Sequence, residues 1–509
     1  MRITFAFYEC NNLGIEYLSA YLKNKGHEVA LSFDPALFRS FTIHSERLHK
    51  IFDYKEVVVD QIVNSKPDLV GFSVVSDIYG WACEVAQEVK KRINVPVIFG
   101  GIHPSSVPEI VIAEDFVDYV CVGEGEEALL DLMSALERKQ DTTKIKNIWA
   151  KKNGQVIDNP LRSLTANLDE FPFPDKELFY RHYPGFKSSY NIITARGCPF
   201  KCSFCYNSLI LKKYGMSYLR QRSVDNVLAE LKEAKKKFGI KRVFFVDDMF
   251  AYDPIWFEEF CRRYLREVGL PFTCEIHPSV TEEIVEKLKI SGCVAVDIGV
   301  QTISEDIRKN ILGRNETNDQ IIKTLKLFMN TNIYVYVDII LGIPSQDKKE
   351  LIDIIKFLKT YRPDYVLVNW LRCYPRTGIV NLMERGGLLS EEQVKEIDYG
   401  KEYMPFTYLG NTFDSETGKL GNLILISQML PKRIIELLIR KGWYKKLNSS
   451  TFLPLRLYAI VVSIYSLLFS SKKRLLYFTP TWQLKYYAYW SFKKILMRFT
   501  KRKKVREER

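Results

Sequence analysis

Short apolar runs alternate with longer helix-periodic stretches through residues 1–140. "MRITFAF" reads as a strand and "GIEYLSAYLKNKG" as a helix closed by Gly26, followed by a second strand, "HEVALSF". "PDLVGFSVV", "VPVIFGG" and "DYVCVG" are three more strand-like runs, separated by helical patterns such as "YGWACEVAQEVKKRI" and "EGEEALLDLMSALERK". This rhythm predicts an α/β domain with a doubly wound parallel sheet, covered on both faces, with ligands at the carboxyl ends of its strands. The rhythm breaks over 141–188, where "WAKKNGQVIDNP" has the pattern of a small hairpin and "LDEFPFPDKELF" that of a Pro-rich linker. It resumes over 189–380 with six strand candidates: "YNIITAR", "KRVFFVDD", "PFTCEIH", "CVAVDIGVQ", "IYVYVDIILGIP" and "DYVLVNW". Six such units fit a partial (β/α)6 barrel with its chemistry at the carboxyl ends. Residues 381–509 change character and predict a mostly helical, basic region, and no repeat of fixed period occurs.

Length and charge refine this picture. A chain of 509 residues, 47% hydrophobic and 13% aromatic, is long enough for two to four domains with large cores. The opening "MRITFAFYECNN" has the pattern of a strand and not of a cleaved leader, so a cytoplasmic location is expected. In that compartment ten cysteines are expected as thiols or metal ligands. The net charge is +13, yet residues 493–509 alone carry nine Lys/Arg against two Glu. An anionic surface met by the tail alone, or a solvated end, both fit that clustering.

The densest chemistry lies in "RGCPFKCSFCYN", residues 196–207, with the spacing Cys198-x3-Cys202-x2-Cys205. Zinc wants a fourth protein ligand, and no second Cys or His pair at finger spacing stands nearby. Three thiolates on a four-iron cubane leave one iron open to a substrate or cofactor. The loop follows the first barrel strand, at the face where chemistry is expected.

With aromatic Phe204 before the last cysteine, this motif resembles that of the radical S-adenosylmethionine (SAM) superfamily, and the resemblance covers residues 189–380. It implies a [4Fe-4S] cluster on Cys198, Cys202 and Cys205, with SAM on the open iron. Reductive cleavage of SAM then yields a 5′-deoxyadenosyl radical that abstracts hydrogen from an unactivated carbon. "FVDD" ends the second barrel strand where the family places Gly-Gly-Glu, so Asp247 and Asp248 are expected to accept the SAM amino group, without the glycines. Phe204, Glu275 in "CEIHP" for the ribose, Gln301 in "DIGVQT" and Arg314 in "LGRNE" for the carboxylate complete the expected SAM contacts. Cys261, Cys274, Cys293 and Cys373 lack metal spacing and read as buried thiols.

A parallel-sheet domain in front of such a barrel resembles the cobalamin-binding branch, with a Rossmann-like sheet. The family pattern of Asp-x-His-x-x-Gly, Ser-x-Leu and Gly-Gly maps onto "ECNNLG", with Asn11 where the histidine belongs and Gly14, then Ser73 in "GFSVVS", then Gly100 and Gly101. Gly123, Glu124 and Gly125 close the last strand. Gly100 and Gly101 are expected to let backbone approach a flat ligand. Asn is a poor cobalt ligand, so cobalamin is expected without a histidine beneath the metal, and His103 in "GGIHPSS" is expected to line the pocket.

Residues 457–471 are uncharged, shorter than the ~17–25 needed to span a bilayer. Amphipathic helices, with Trp443, Trp482 and Trp490 at an interface and a basic tail on anionic headgroups, predict peripheral contact with the inner membrane face, and nucleic acid is not expected. The expected reaction is cobalamin-dependent methylation of an unactivated carbon in a small hydrophobic substrate, a lipid, isoprenoid or tetrapyrrole, with a flavodoxin- or ferredoxin-type electron donor. Radical cyclisation or carbon–carbon coupling needs the same sites and stays open as the alternative.

Overall fold

The computed structural model describes residues 1–38, 45–401, 416–447 and 485–497. The chain divides into two compact units, one built from Met1–Arg162, Pro172–Phe186 and Leu476–Arg509, the other from Ser163–Phe171 and Lys187–Leu475.

The first unit is built on a seven-stranded sheet. Strands β1 (Arg2–Tyr8), β2 (Glu28–Asp34), β3 (Leu69–Ser73), β4 (Val97–Gly100) and β5 (Tyr119–Cys121) run parallel in the order β2-β1-β3-β4-β5. The five correspond to the five apolar runs of the sequence. Burial on both faces explains why they are nearly continuous in Val, Ile, Leu and Phe. The expected linker is no free connection at its start. Strands β6 (Ile148–Lys152) and β7 (Gln155–Ile157) turn at Asn153–Gly154, both at positive φ, and β6 pairs antiparallel with β5. The hairpin thus extends the first sheet, because a two-stranded ribbon alone is marginal in water.

The helical region proposed for 381–509 does not form one body. Helix Glu416–Ser427 packs Leu420, Leu423 and Ile424 into the core of the second unit, and Tyr444 is buried with them. The helical segment 485–497 instead belongs to the first unit, where Trp490 is 2% exposed and stacks against Phe33 and Tyr54 at ring distances of 5.6 and 5.7 Å. Trp490 is therefore a core residue and not part of an interfacial belt, since the buried Phe33 and Tyr54 rings enclose its indole. Trp443 is exposed at 49%. Trp482 and the run 457–471 lie outside the described residues. Among the described residues no helix is long and apolar enough to cross a membrane.

The second unit contains six parallel strands in sequence order: β8 (Tyr190–Ile192), β11 (Val243–Phe245), β12 (Phe272–Ile276), β13 (Cys293–Gln301), β14 (Tyr334–Leu341) and β15 (Tyr365–Trp370). A two-residue pair, β9 (Ala195–Arg196) with β10 (Arg220–Gln221), is separate. Local signals set the helices between them. Helix Val224–Phe238 starts where the Ser223 side chain caps Asn226 N–H, buries Val227, Leu228 and Leu231, and stops at Gly239 in the left-handed region. Helix Asn318–Met329 opens on a Thr317–Gln320 capping box. Their apolar faces join the strands in one core that includes Phe245, Phe260, Val296 and Ile339. Each such side chain contributes about 1.5–3 kcal/mol by leaving water.

Candidate functional site

The cysteine loop leaves the carboxyl side of β8. Gly197 sits at φ +98, and a Cβ there would lie 2.5 Å from the Tyr218 carbonyl oxygen, so only glycine lets the chain turn into Cys198. Ser203 then ties the loop down. Its N–H donates to the Leu312 carbonyl at 2.9 Å, its hydroxyl to the Ile311 carbonyl at 2.6 Å, and its own carbonyl accepts Ile379 N–H at 2.9 Å. All three thiols are free and half-buried. Burial pushes Cys198 up to about 11 and Cys205 up to about 12, with the charges of Asp248 and of the neighbouring thiols adding to both. Burial also raises Cys202, opposed by the Arg314 guanidinium, which hydrogen-bonds it. Among the described residues no three His, Cys, Asp or Glu converge tightly enough for a single ion. A cubane takes each thiolate on a different iron, so spaced thiols on one clamped loop fit it. Binding it would release their protons.

The expected SAM residues fare differently. Asp247 is 2% exposed, and its Oδ1 accepts the Thr194 amide at 2.7 Å, the Thr194 hydroxyl at 3.0 Å and the Ala195 amide at 2.7 Å. That carboxylate organises the start of the cysteine loop through Oδ1, while its Oδ2 is buried without a hydrogen-bond partner. Burial raises it to about 7. Asp248 is exposed and its charge acts on Cys198 and Cys205, and desolvation raises its own pKa against a hydrogen bond with Asn207. Phe204 is partly buried and packs against the apolar cluster that includes Ile307, Leu312 and Ile343. Gln301 ends β13 at φ +66, beside a register shift, and is 8% exposed. Its amide nitrogen and the Arg314 guanidinium lie over bare Gly299, 2.6 and 3.6 Å from where a Cβ would stand.

Arg314 is already engaged. It donates to Glu316 Oε1 at 2.9 Å, and His277 Nε2 reaches the same oxygen at 2.9 Å. His277 Nδ1 accepts Ser279 N–H at 3.2 Å, which leaves the ring proton on Nε2 for Glu316. Burial pushes Glu316 up, but the His277 hydrogen bond and the Arg314 charge outweigh it and hold the carboxyl near 2. Phe200, from the cysteine loop, stacks on His277 at 4.8 Å and 15°.

Two barrel residues went unnoticed in the sequence. Asp297 and Asp338 share the inward face with Glu275, because Glu275 pairs with Asp297 and Gly299 with Asp338 across adjacent strands. Glu275 is exposed, yet desolvation by the protein around it and the charges of Asp297, Asp248 and Asp247 raise it to about 7. Asp297 rises to about 6 by burial, and Asp338 to about 8 by burial and the charges of Asp297 and Glu275. The available signal was a single carboxylate at alternate positions of otherwise apolar strands, "CVAVDIGVQ" and "YVYVDIIL".

On the first unit, the carboxyl edges of β3 and β4 expose Val75 at 37% and Ile102 at 40%, an apolar surface of the kind a flat macrocycle covers. The nearby glycines answer to the fold first. Gly101 sits at φ +100, and a Cβ there would meet the Val74 backbone at 2.8 Å, with Ser73 Oγ at 3.4 Å. A Cβ at Gly100 would lie 3.4 Å from Cys121 Cβ, so both glycines also let neighbouring strand ends close on each other. Gly14 lies in the first turn of the helix capped by Asn12, and Asn11 Nδ2 donates to Glu16 at 3.4 Å. Glu16 itself is paired with Lys176 at 2.6 Å in full burial. Gly123 N–H donates to Ser105 Oγ at 2.9 Å, the Glu124 carbonyl accepts Asn147, and Gly125 packs beside Leu18. His103 does not line a pocket. It is 0% exposed, its Nδ1 lies 3.0 Å from Ser76 Oγ, and burial lowers it to about 3. Stacking on Tyr79 at 4.3 Å holds it in the core.

Comparison with known proteins agrees with both halves. The radical SAM superfamily profile matches residues 192–358, and the B12 binding domain profile matches residues 3–133. An uncharacterised methyltransferase of Pyrococcus horikoshii is 30% identical over 318 residues, 61% of this chain and 68% of that protein. The anaerobic magnesium-protoporphyrin IX monomethyl ester cyclase of Rubrivivax gelatinosus is 23% identical, over 71% of this chain and 64% of its own. The fold is shared with TsrM of Kitasatospora setae, at a TM-score of 0.62 and 18% identity over 76% of this chain and 75% of that one. It is also shared with the cobalamin-dependent radical enzyme OxsB, at 0.63 and 19% over 99% and 80%. The chain belongs to the radical SAM superfamily, in the branch that carries a B12 binding domain. It is a cobalamin-dependent radical SAM enzyme with methyltransferase and cyclase relatives, working with a [4Fe-4S] cluster, SAM and cobalamin.

Proposed function

We propose that this enzyme methylates an unactivated carbon of a small hydrophobic substrate, a lipid, isoprenoid or tetrapyrrole. The observation that carries the reading is the clamped thiol loop, within reach of the Asp248 charge, at the carboxyl end of a barrel sheet, in a chain that also carries a B12 binding domain. When bound, the cluster with SAM supplies a 5′-deoxyadenosyl radical, and cobalamin supplies a methyl group. Cys198, Cys202 and Cys205 hold the cluster, and Asp247 fixes the backbone from which their loop departs. Asp248 and Glu275 accept from the donor groups of SAM, and Gln301 reaches into the barrel beside Arg314. Arg314, held by Glu316 through Nε and Nη2, would meet the SAM carboxylate through Nη1. On the first unit, Ser73, Val75, Gly100 and Ile102 form the edge that would hold cobalamin, and His103 is enclosed in the core. A flavodoxin- or ferredoxin-type donor supplies electrons in the cytoplasm, with peripheral contact at an anionic membrane surface.

Oxidative cyclisation is the second reading, favoured by the named cyclase relatives. Mass spectrometry of lipid and pigment extracts, with and without the gene, separates the two. Methylation predicts a metabolite lighter by one methylene in the disruptant. Cyclisation predicts one richer by two hydrogens, and unchanged extracts exclude a lipid or pigment substrate.

A further inference from the structure

Residues 485–497 form a helix with two apolar stripes. Tyr486, Trp490 and Lys494, at four-residue spacing, face the first unit and are at most 9% exposed. The Tyr486 hydroxyl donates to the Glu9 carbonyl at 2.7 Å, the Tyr54 hydroxyl to the Trp490 carbonyl at 2.7 Å, and Lys494 Nζ to the Asp53 carbonyl at 2.6 Å. The Tyr489 hydroxyl donates to the His182 carbonyl at 3.3 Å and its ring packs on Tyr183, so it too faces the first unit. At 3.6 residues per turn, Phe492, Ile495 and Leu496 centre about 200° around the axis from Tyr486, Trp490 and Lys494. They are exposed at 64%, 43% and 48%. An anchored helix thus presents a second apolar stripe to the outside, where a soluble surface helix carries charge.

We propose that this outward stripe docks the enzyme on an anionic lipid surface. The idea rests on the membrane-contact part of the functional reading and gives it a place. Charge complementarity selects the occupant. Lys485 is exposed at the start of the stripe, Lys493 lies 4.5 Å over the Trp490 ring, and residues 498–509 add seven Lys/Arg against two Glu. Phe492 and Ile495 insert below the headgroups, and the cations contact phosphate. The inward anchors tie this contact to the cobalamin-type domain, so membrane binding holds that domain at the bilayer surface.

The test is co-sedimentation of the full-length holoprotein with phosphatidylcholine vesicles, with or without phosphatidylglycerol. The parent protein binds the anionic vesicles, less so at raised salt. The double variant Phe492→Ser, Ile495→Ser loses at least ten-fold in partitioning while keeping its melting temperature and SAM cleavage. If the parent fails to bind, both membrane contact and this docking face fall. If parent and variant bind equally, the face alone is wrong and contact runs through another segment. If the substitutions instead convert a dimer to a monomer in ultracentrifugation, a second copy covers the stripe and the lipid assignment is overturned.

Discussion

Asp247 holds Thr194 twice, accepting its amide at 2.7 Å and its hydroxyl at 3.0 Å, and so fixes the backbone just before the cysteine loop. Asp247→Ala strands buried donors, each costing about 1–3 kcal/mol. The variant should melt earlier and retain less iron after reconstitution, with Asp247→Asn milder because it keeps an acceptor. Thermal melting and iron analysis check both. Full iron retention in the alanine variant would show that the loop does not depend on this carboxylate.

Cys202→Ala should leave both units folded and abolish 5′-deoxyadenosine formation, since two thiolates hold the cluster poorly. Circular dichroism and product chromatography read the two effects separately. Retained deoxyadenosine would remove the cluster assignment.

Both sheets were legible because strand burial writes itself into local apolar runs, and the thiol loop because its spacing is local. Relationships between distant segments were not. His277 and Glu316 are unremarkable residues until a turn brings them to Arg314. Asp297 joins Glu275 only through strand register. Trp490 pattern-matches an interfacial aromatic, and only the return of the chain over the first unit shows it facing Phe33. Gly101 and His103 sit at the expected strand end, but the sequence does not say that one serves strand closure and the other the core.

The inward carboxyls of Asp297 and Asp338 are raised, to about 6 and about 8. The folded state then binds more protons than the unfolded state above the ordinary carboxyl pKa of about 4, so stability falls as pH rises from there through about 8. Asp338→Asn should flatten that decline and stabilise the apoprotein at pH 8 by on the order of 1 kcal/mol, a few degrees in melting temperature. Melting curves of the two proteins across this range decide it. An unchanged slope would mean the carboxyls are not crowded in solution.

Trp490→Ala removes a ring enclosed by Phe33 and Tyr54. A loss of about 3–5 kcal/mol is expected, felt in the first unit. Hydrogen exchange should show lost protection in β2 and in helix Lys55–Asn64, with the barrel strands unchanged. Protection lost first in the barrel would contradict the assignment of 485–497 to the first unit.

The central claim is tested most directly with SAM carrying a deuterated methyl group. The reconstituted enzyme, with cobalamin and a low-potential reductant, is incubated without oxygen in lipid and pigment extract from a host lacking the gene. The account predicts 5′-deoxyadenosine together with a product bearing one transferred deuterated methyl group, both lost in Cys202→Ala. Deoxyadenosine formed with no label in any product would contradict methyl transfer and leave cyclisation or coupling as the reaction.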